Sequence, residues 1–166
     1  ALLAVLVYWN FHCPFCAHFG ETTSPQLDTD YIADGKVVFA FRHLPLPNHT
    51  QAFAAASAAT CAGRQGKFWE MHDRLFANAK TLKTAPWRTF AADLGLNRAQ
   101  FDSCLDREGP EIVRTDLALA EALDIAGTPS FLIGRNGPDG RVRVSNRLAG
   151  GLPIGSFKRI IDPLLA

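Results

Sequence analysis

Cys13 and Cys16 stand three residues apart in Phe11-His12-Cys13-Pro14-Phe15-Cys16, directly after an apolar run and directly before a helical pattern. Two thiols at that spacing can exchange a disulfide with a second molecule. At the N-terminus of a helix, unpaired N–H groups and the positive dipole end favour a thiolate on the first cysteine. Each unit by which a thiol's pKa falls corresponds to about 1.4 kcal/mol of preference for the thiolate. Pro14 suits the first helical position, where its missing N–H has no partner to lose.

The flanking segments must hold this turn. Leu2 to Phe11 reads as a buried strand; it lacks the basic flank and cleavage site of a signal peptide. A chain that opens inside a strand is expected to have lost residues before it, so an export signal would lie outside this sequence. Pro14 to about Asp30 reads as a helix bent near Pro25, and Lys36 to Arg42 as a strand after a turn at Gly35. A block of helices follows: Thr50 to Ala62 closing at Gly63, Gly66 to Asn78, Pro86 to Leu94, a short helix capped by Asn97, and one opened by Pro110. Ser130 to Ile133 and Arg141 to Val144 read as two strands joined by the turn Asn136-Gly137-Pro138-Asp139-Gly140. A last helix starts after Pro153. The order predicts an α/β chain, with residues 1–48 and 126–166 forming a βαβ and a ββα unit around a central mixed sheet. Residues 49–125 are expected to be an inserted all-helical subdomain.

Composition narrows the function classes. The 166 residues are 48% hydrophobic and 20% charged, with a formal net charge of +1. Such a balance gives no electrostatic reason to expect nucleic acid or an anionic membrane as partner. No apolar stretch reaches the roughly 18–20 residues of a membrane span. Glycine-rich phosphate or dinucleotide loops and a Gly-x-Ser-x-Gly nucleophile turn are absent from the sequence. Cys61 and Cys104 fit no metal-ligand spacing; they form either a structural disulfide in an oxidising compartment or two inert buried thiols.

On these residues the chain resembles the thioredoxin superfamily, and more narrowly the DsbA-like thiol-disulfide oxidoreductases, a thioredoxin-like fold with a helical insertion. The resemblance rests on Phe11 to Cys16, on Gly127-Thr128-Pro129-Ser130-Phe131, and on Gln65 to His72. It implies Cys13 and Cys16 as the catalytic pair, with Cys13 exposed and Cys16 shielded. It further implies a cis Thr128–Pro129 peptide opposite them, where Thr128 and Pro129 bind an extended substrate. Read from the residues themselves, Pro14 and His12 tune the pair; His12 either raises the local positive potential or stands by as an exposed bystander. Phe15 either helps to dock substrates or packs in the core with Phe11 and Phe19. No cofactor beyond the redox-active disulfide and no metal is expected. The implied partners are protein thiols and disulfides, with a redox partner, for instance a membrane quinone reductase system, that recharges the pair. The implied location is extracytoplasmic, periplasmic or secreted; a cytoplasmic one stays open.

Two departures from the family pattern matter. Val7 stands where many relatives carry a buried acid that assists the second cysteine. Phe15 replaces the histidine of the strongest oxidants, which implies a weaker one. Thr128 leans toward an isomerase or reductase, so net oxidation and isomerisation both stay open. A zinc site built from Cys13, Cys16, His12 and His18, or a chaperone-like module with an incidental dithiol, are the readings from other classes.

Overall fold

A computed structural model describes residues 1–49 and 51–166. Four strands, β1 (Leu3–Trp9), β2 (Val37–His43), β3 (Ser130–Asn136) and β4 (Val142–Ala149), form one sheet in the order β2-β1-β3-β4. β1 pairs antiparallel with β3, and β3 with β4. The sheet is mixed, so β1 and β2 are its parallel pair, the pairing for which a helical crossover is needed. α1 (Pro14–Thr22) and α2 (Ser24–Leu27) lie in that crossover.

The helix expected from Pro14 to Asp30 is broken at Thr23 and ends in a π turn over Asp28–Ile32. The break precedes Pro25, which has no N–H to donate to the carbonyl four residues back, at Glu21. β3 and β4 each run further than their apolar cores suggested. A bulge between Ile133 and Gly134 keeps them paired, and a Cβ at Gly134 would fall on the Arg143 carbonyl. Only glycine lets the two backbones come that close.

The chain divides into two compact units: residues 1–9, 13–42 and 127–166, and residues 10–12 with 43–126. The first contains the sheet, α1, α2 and α8 (Ile154–Leu165). Its core is aromatic. Phe19 of α1 meets Phe131 of β3 at 4.7 Å and Phe157 of α8 at 5.6 Å between ring centroids, and Trp9 of β1 stands 4.9 Å from Phe41.

The second unit is helical: α3 (Ala52–Gly63), α4 (Phe68–Ala77), α5 (Trp87–Asp93), α6 (Arg98–Asp106) and α7 (Glu108–Ala122). Thr50, the expected start of α3, lies outside the described residues. Gly63 is the last residue of α3 and not its left-handed cap; that conformation falls to Gly66, at φ +75°. α7 begins at Glu108, two residues before Pro110, which the first turn tolerates because its N–H groups are unpaired in any case. A 3₁₀ turn over Ala79–Thr84 had no apolar period to reveal it. Asn97 caps α6 by accepting the Gln100 N–H. Cys61 of α3 and Cys104 of α6 are joined as a disulfide, with Cα atoms 5.6 Å apart. Closing a loop with a sequence separation of 43 contributes about 4 kcal/mol in chain-entropy terms.

His72 is buried in this unit among the rings of Phe11, Phe68, Trp69 and Phe76, with centroids 4.9 to 6.1 Å away. Burial lowers its pKa, and the Asp73 carboxylate, 2.9 Å from Nδ1, offsets only part of that. The unfolded chain takes up this proton near pH 6.5, about the value of a free imidazole, while the folded chain resists it. Stability is therefore full above that pH and declines as the pH falls below it. We expect the denaturant midpoint to be lower at pH 5 than at pH 7.5, with a smaller difference in His72→Gln. An acid loss of the same size in the variant would show that His72 is not its source.

Candidate active site

β1 delivers the chain to the dithiol. Its burial pattern is nearly continuous, and Val7 and Tyr8 pair with Phe131 and Ser130. Because the pairing is antiparallel, the end of β1 lies beside the start of β3. That register brings Cys13 to the Thr128–Pro129 peptide, 115 residues away in sequence.

Cys13 is the N-cap of α1 and Pro14 its first residue. The Cys16 N–H donates to Cys13 Sγ at 3.1 Å. No acidic residue stands in the first turn of α1, so nothing there opposes negative charge on that sulfur. Cys13 and Cys16 are joined as a disulfide, with Cα atoms 5.2 Å apart. The Thr128–Pro129 peptide is cis, and Cys13 Sγ lies 3.5 Å from the Thr128 carbonyl oxygen. A disulfide sulfur carries no proton, so this is a close approach and not a hydrogen bond. When the pair is reduced, the same oxygen can accept from the Cys13 thiol.

Cys16 is fully buried, as expected, but Cys13 is buried too, at 3% exposure. Its sulfur turns inward onto the Cys16 N–H and the Thr128 carbonyl, and the outward surface of the turn is Pro14 and Phe15. Phe15 is 67% exposed, whereas Phe11 and Phe19 are fully buried. An exposed phenyl ring beside the sulfurs can offer contact to an extended apolar chain. Pro129 is buried and Thr128 half-buried. Val7 is buried in β1, so an apolar side chain occupies the position where the family pattern has an acid.

His12 belongs with the second unit, where its backbone N–H and the His49 ring both meet Asn10 Oδ1, at 2.9 and 3.0 Å. Burial, and then His49 with its ring centroid 6.3 Å away, lower the His12 pKa. Both effects disfavour the charged form of the His12 ring, the form through which it would raise the local positive potential. His18 is exposed on α1. Among the described residues there is no group of three or more His, Cys, Asp or Glu side chains placed to hold a metal ion.

Three neighbours escaped the sequence reading. The Gly150 N–H donates to the Pro129 carbonyl at 2.8 Å, the Thr23 hydroxyl donates to the Leu152 carbonyl at 2.8 Å, and Gly151 lies against the Phe15 carbonyl. Two adjacent glycines after an alternating strand were the available signal; they mark a bend without saying what it touches.

Comparisons with known proteins agree with this geometry. The thioredoxin sequence profile matches residues 1–145. The chain is similar to the Na(+)/H(+) antiporter NhaA 3 of Salinispora tropica, 37% identical over 135 residues that make up 80% of this chain and 20% of the relative. It therefore spans about a fifth of the length of the curated relatives it matches. Alpha-DsbA1 of Wolbachia pipientis superposes with a TM-score of 0.83 at 24% identity, covering 99% of this chain and 86% of that one. DsbA2 of Pseudomonas aeruginosa gives 0.77 at 25% identity, covering 99% and 89%. The fold is thioredoxin-like.

The N-cap position makes a prediction about the reduced protein. In a Cys16→Ala variant, alkylation of Cys13 is expected to titrate well below the free-thiol value of about 8.5. A midpoint at or above that value would mean that the helix terminus does not hold a thiolate there.

Proposed function

Because the chain belongs to the thioredoxin family, we propose that it exchanges disulfides with protein thiols through Cys13 and Cys16, in net as an oxidant. In the oxidised protein a substrate thiolate attacks Cys13 Sγ, the Cys13–Cys16 bond breaks, and Cys16 leaves as a thiolate that takes up a proton. A second substrate thiolate then attacks the substrate sulfur of the mixed disulfide and expels Cys13. The substrate loses two electrons and the protein gains them. In that second step the Cys16 N–H, 3.1 Å from Cys13 Sγ, is placed to receive the departing Cys13 thiolate. No metal and no cofactor beyond the dithiol enters this scheme.

The observation that carries the reading is the meeting of three groups at one sulfur: a helix N-terminus, the Cys16 sulfur bonded to it, and the Thr128 carbonyl. An extended substrate adds to the Thr128 backbone as a further strand, and the exposed Phe15 ring gives it an apolar contact. With Val7 in place of an acid, the proton taken up or lost at Cys16 is exchanged with water or with the substrate. An extracytoplasmic location and a partner that reoxidises the pair follow from net oxidation. The antiporter relatives favour a working place beside a membrane; among the described residues no helix is long and apolar enough to cross one. Net isomerisation or reduction is the second reading, favoured by Thr128 before the proline.

A Cys16→Ala variant should accumulate mixed disulfides through Cys13, and Cys13→Ala none; failure to trap any thiol partner would reject exchange. Equilibration of the wild-type pair with glutathione decides direction, since a potential near −270 mV, roughly that of thioredoxin, would make the protein a reductant. Phe15→Ala should slow oxidation of an unfolded protein substrate by roughly fivefold, the equivalent of about 1 kcal/mol of lost apolar contact. Its rate with glutathione should not change. Equal slowing with both would remove Phe15 from docking.

A further inference from the structure

The segment after β4 meets three places: the Pro129 loop, the dithiol turn and the far end of α1. The Gly150 N–H donates to the Pro129 carbonyl at 2.8 Å, and Gly150 sits at φ +93°, a conformation reserved for glycine. A Cβ built on Gly151 would stand 3.2 Å from the Phe15 carbonyl oxygen and 3.8 Å from His18 Cδ2. Beyond it, the Leu152 carbonyl accepts the hydroxyl of Thr23, a buried residue at the other end of α1. Gly150 to Leu152 is thus a strap that runs from the Pro129 loop along both ends of the helix bearing Cys16.

The contact at Gly151 falls on one particular peptide. The Phe15 carbonyl and the Cys16 N–H belong to the same planar unit, so a push on the oxygen moves the N–H as well. That N–H is the donor on Cys13 Sγ. We infer that Gly151 is a positioning residue for disulfide exchange: its missing side chain leaves the Phe15–Cys16 peptide free to aim its N–H at Cys13. This rests on the reading of Cys13 and Cys16 as the exchange pair. The strap fixes the result, because Gly150 ties it to the Pro129 loop and Leu152 ties it to Thr23. An oxygen held 3.2 Å from a new methyl group is closer than ordinary van der Waals contact allows, so either the peptide or the strap must yield. Gly151 is not in the left-handed region, so alanine there carries no backbone penalty of its own. An ordinary loop glycine in that situation accepts alanine, with unchanged or slightly raised stability.

The test compares Gly151→Ala, Thr23→Val and Thr23→Ser with the full wild-type chain. The readouts are the rate of reaction of the oxidised protein with reduced glutathione, the pH midpoint of Cys13 alkylation in the reduced protein, and the thermal midpoint. Gly151→Ala is expected to slow exchange by about tenfold and to raise the alkylation midpoint, since sub-ångström misplacement of a reacting group has costs of this order. Thr23→Val should move both in the same direction by about threefold in rate, and Thr23→Ser, which keeps the hydroxyl, should restore them. Should Gly151→Ala fail to fold, the Thr23 pair decides alone. Variants that change only the thermal midpoint, with the alkylation midpoint unmoved, overturn the inference and leave the exchange reading standing. A wild-type chain that does not react with glutathione at all overturns both.

Discussion

The rings of Phe19, Phe131 and Phe157 meet with centroids 4.7 to 5.6 Å apart, one each from α1, β3 and α8. All three are fully buried. Phe19 stands one turn after Cys16, so its burial fixes how far along the sheet α1 sits and which way its first turn faces. Aromatic pairs of this geometry add about 0.5–1.5 kcal/mol each beyond the area they bury. The dithiol is therefore held by the core from below, and its sulfur chemistry rides on the packing of a residue that takes no part in it.

From that anchor the electrostatics follow with few parts. The helix offers its first N–H groups, the Cys16 N–H reaches Cys13 Sγ, and no carboxylate in the first turn competes. Among the neighbouring side chains, Val7 is apolar, and burial and His49 disfavour the charged form of His12. In the proposed exchange, a thiolate at Cys13 is favoured by these oriented backbone dipoles. Backbone dipoles are insensitive to pH but sensitive to position, which gives the close fit of Gly151 against the Phe15 carbonyl its weight.

Much of the fold was legible in order and type. The strand, helix, strand, helical block, strand, strand, helix sequence appears as read; the period of 3.6 shows in α7, where Val113 and Ala120 are buried and Leu117 half-buried, whereas β4 holds Val142 half-buried and leaves Val144 exposed. Boundaries were less legible. β3 extends through Gly134, Arg135 and Asn136, whose place in a strand depends on the bulged pairing with β4 and not on their own propensities. The exposure of Cys13 was misjudged for a related reason. A position on a helix terminus gives the direction of the N–H groups, but not the approach of the Thr128 carbonyl, 3.5 Å from the sulfur and far along the chain.

By itself the sequence singled out the candidate pair. Two cysteines three apart, with a proline at the first helical position and an apolar strand before them, admit little chemistry other than thiol exchange, since local spacing sets both the reach of the sulfurs and their place on the helix. Only the tertiary structure decided what those sulfurs face. The antiparallel register that sets Tyr8 opposite Ser130 carries the Thr128 carbonyl to Cys13, and a bend at Gly150 brings Gly151 onto the Phe15–Cys16 peptide. Both depend on which strands pair and in what alignment, a long-range choice made by burial of the whole sheet and written in no single stretch of residues.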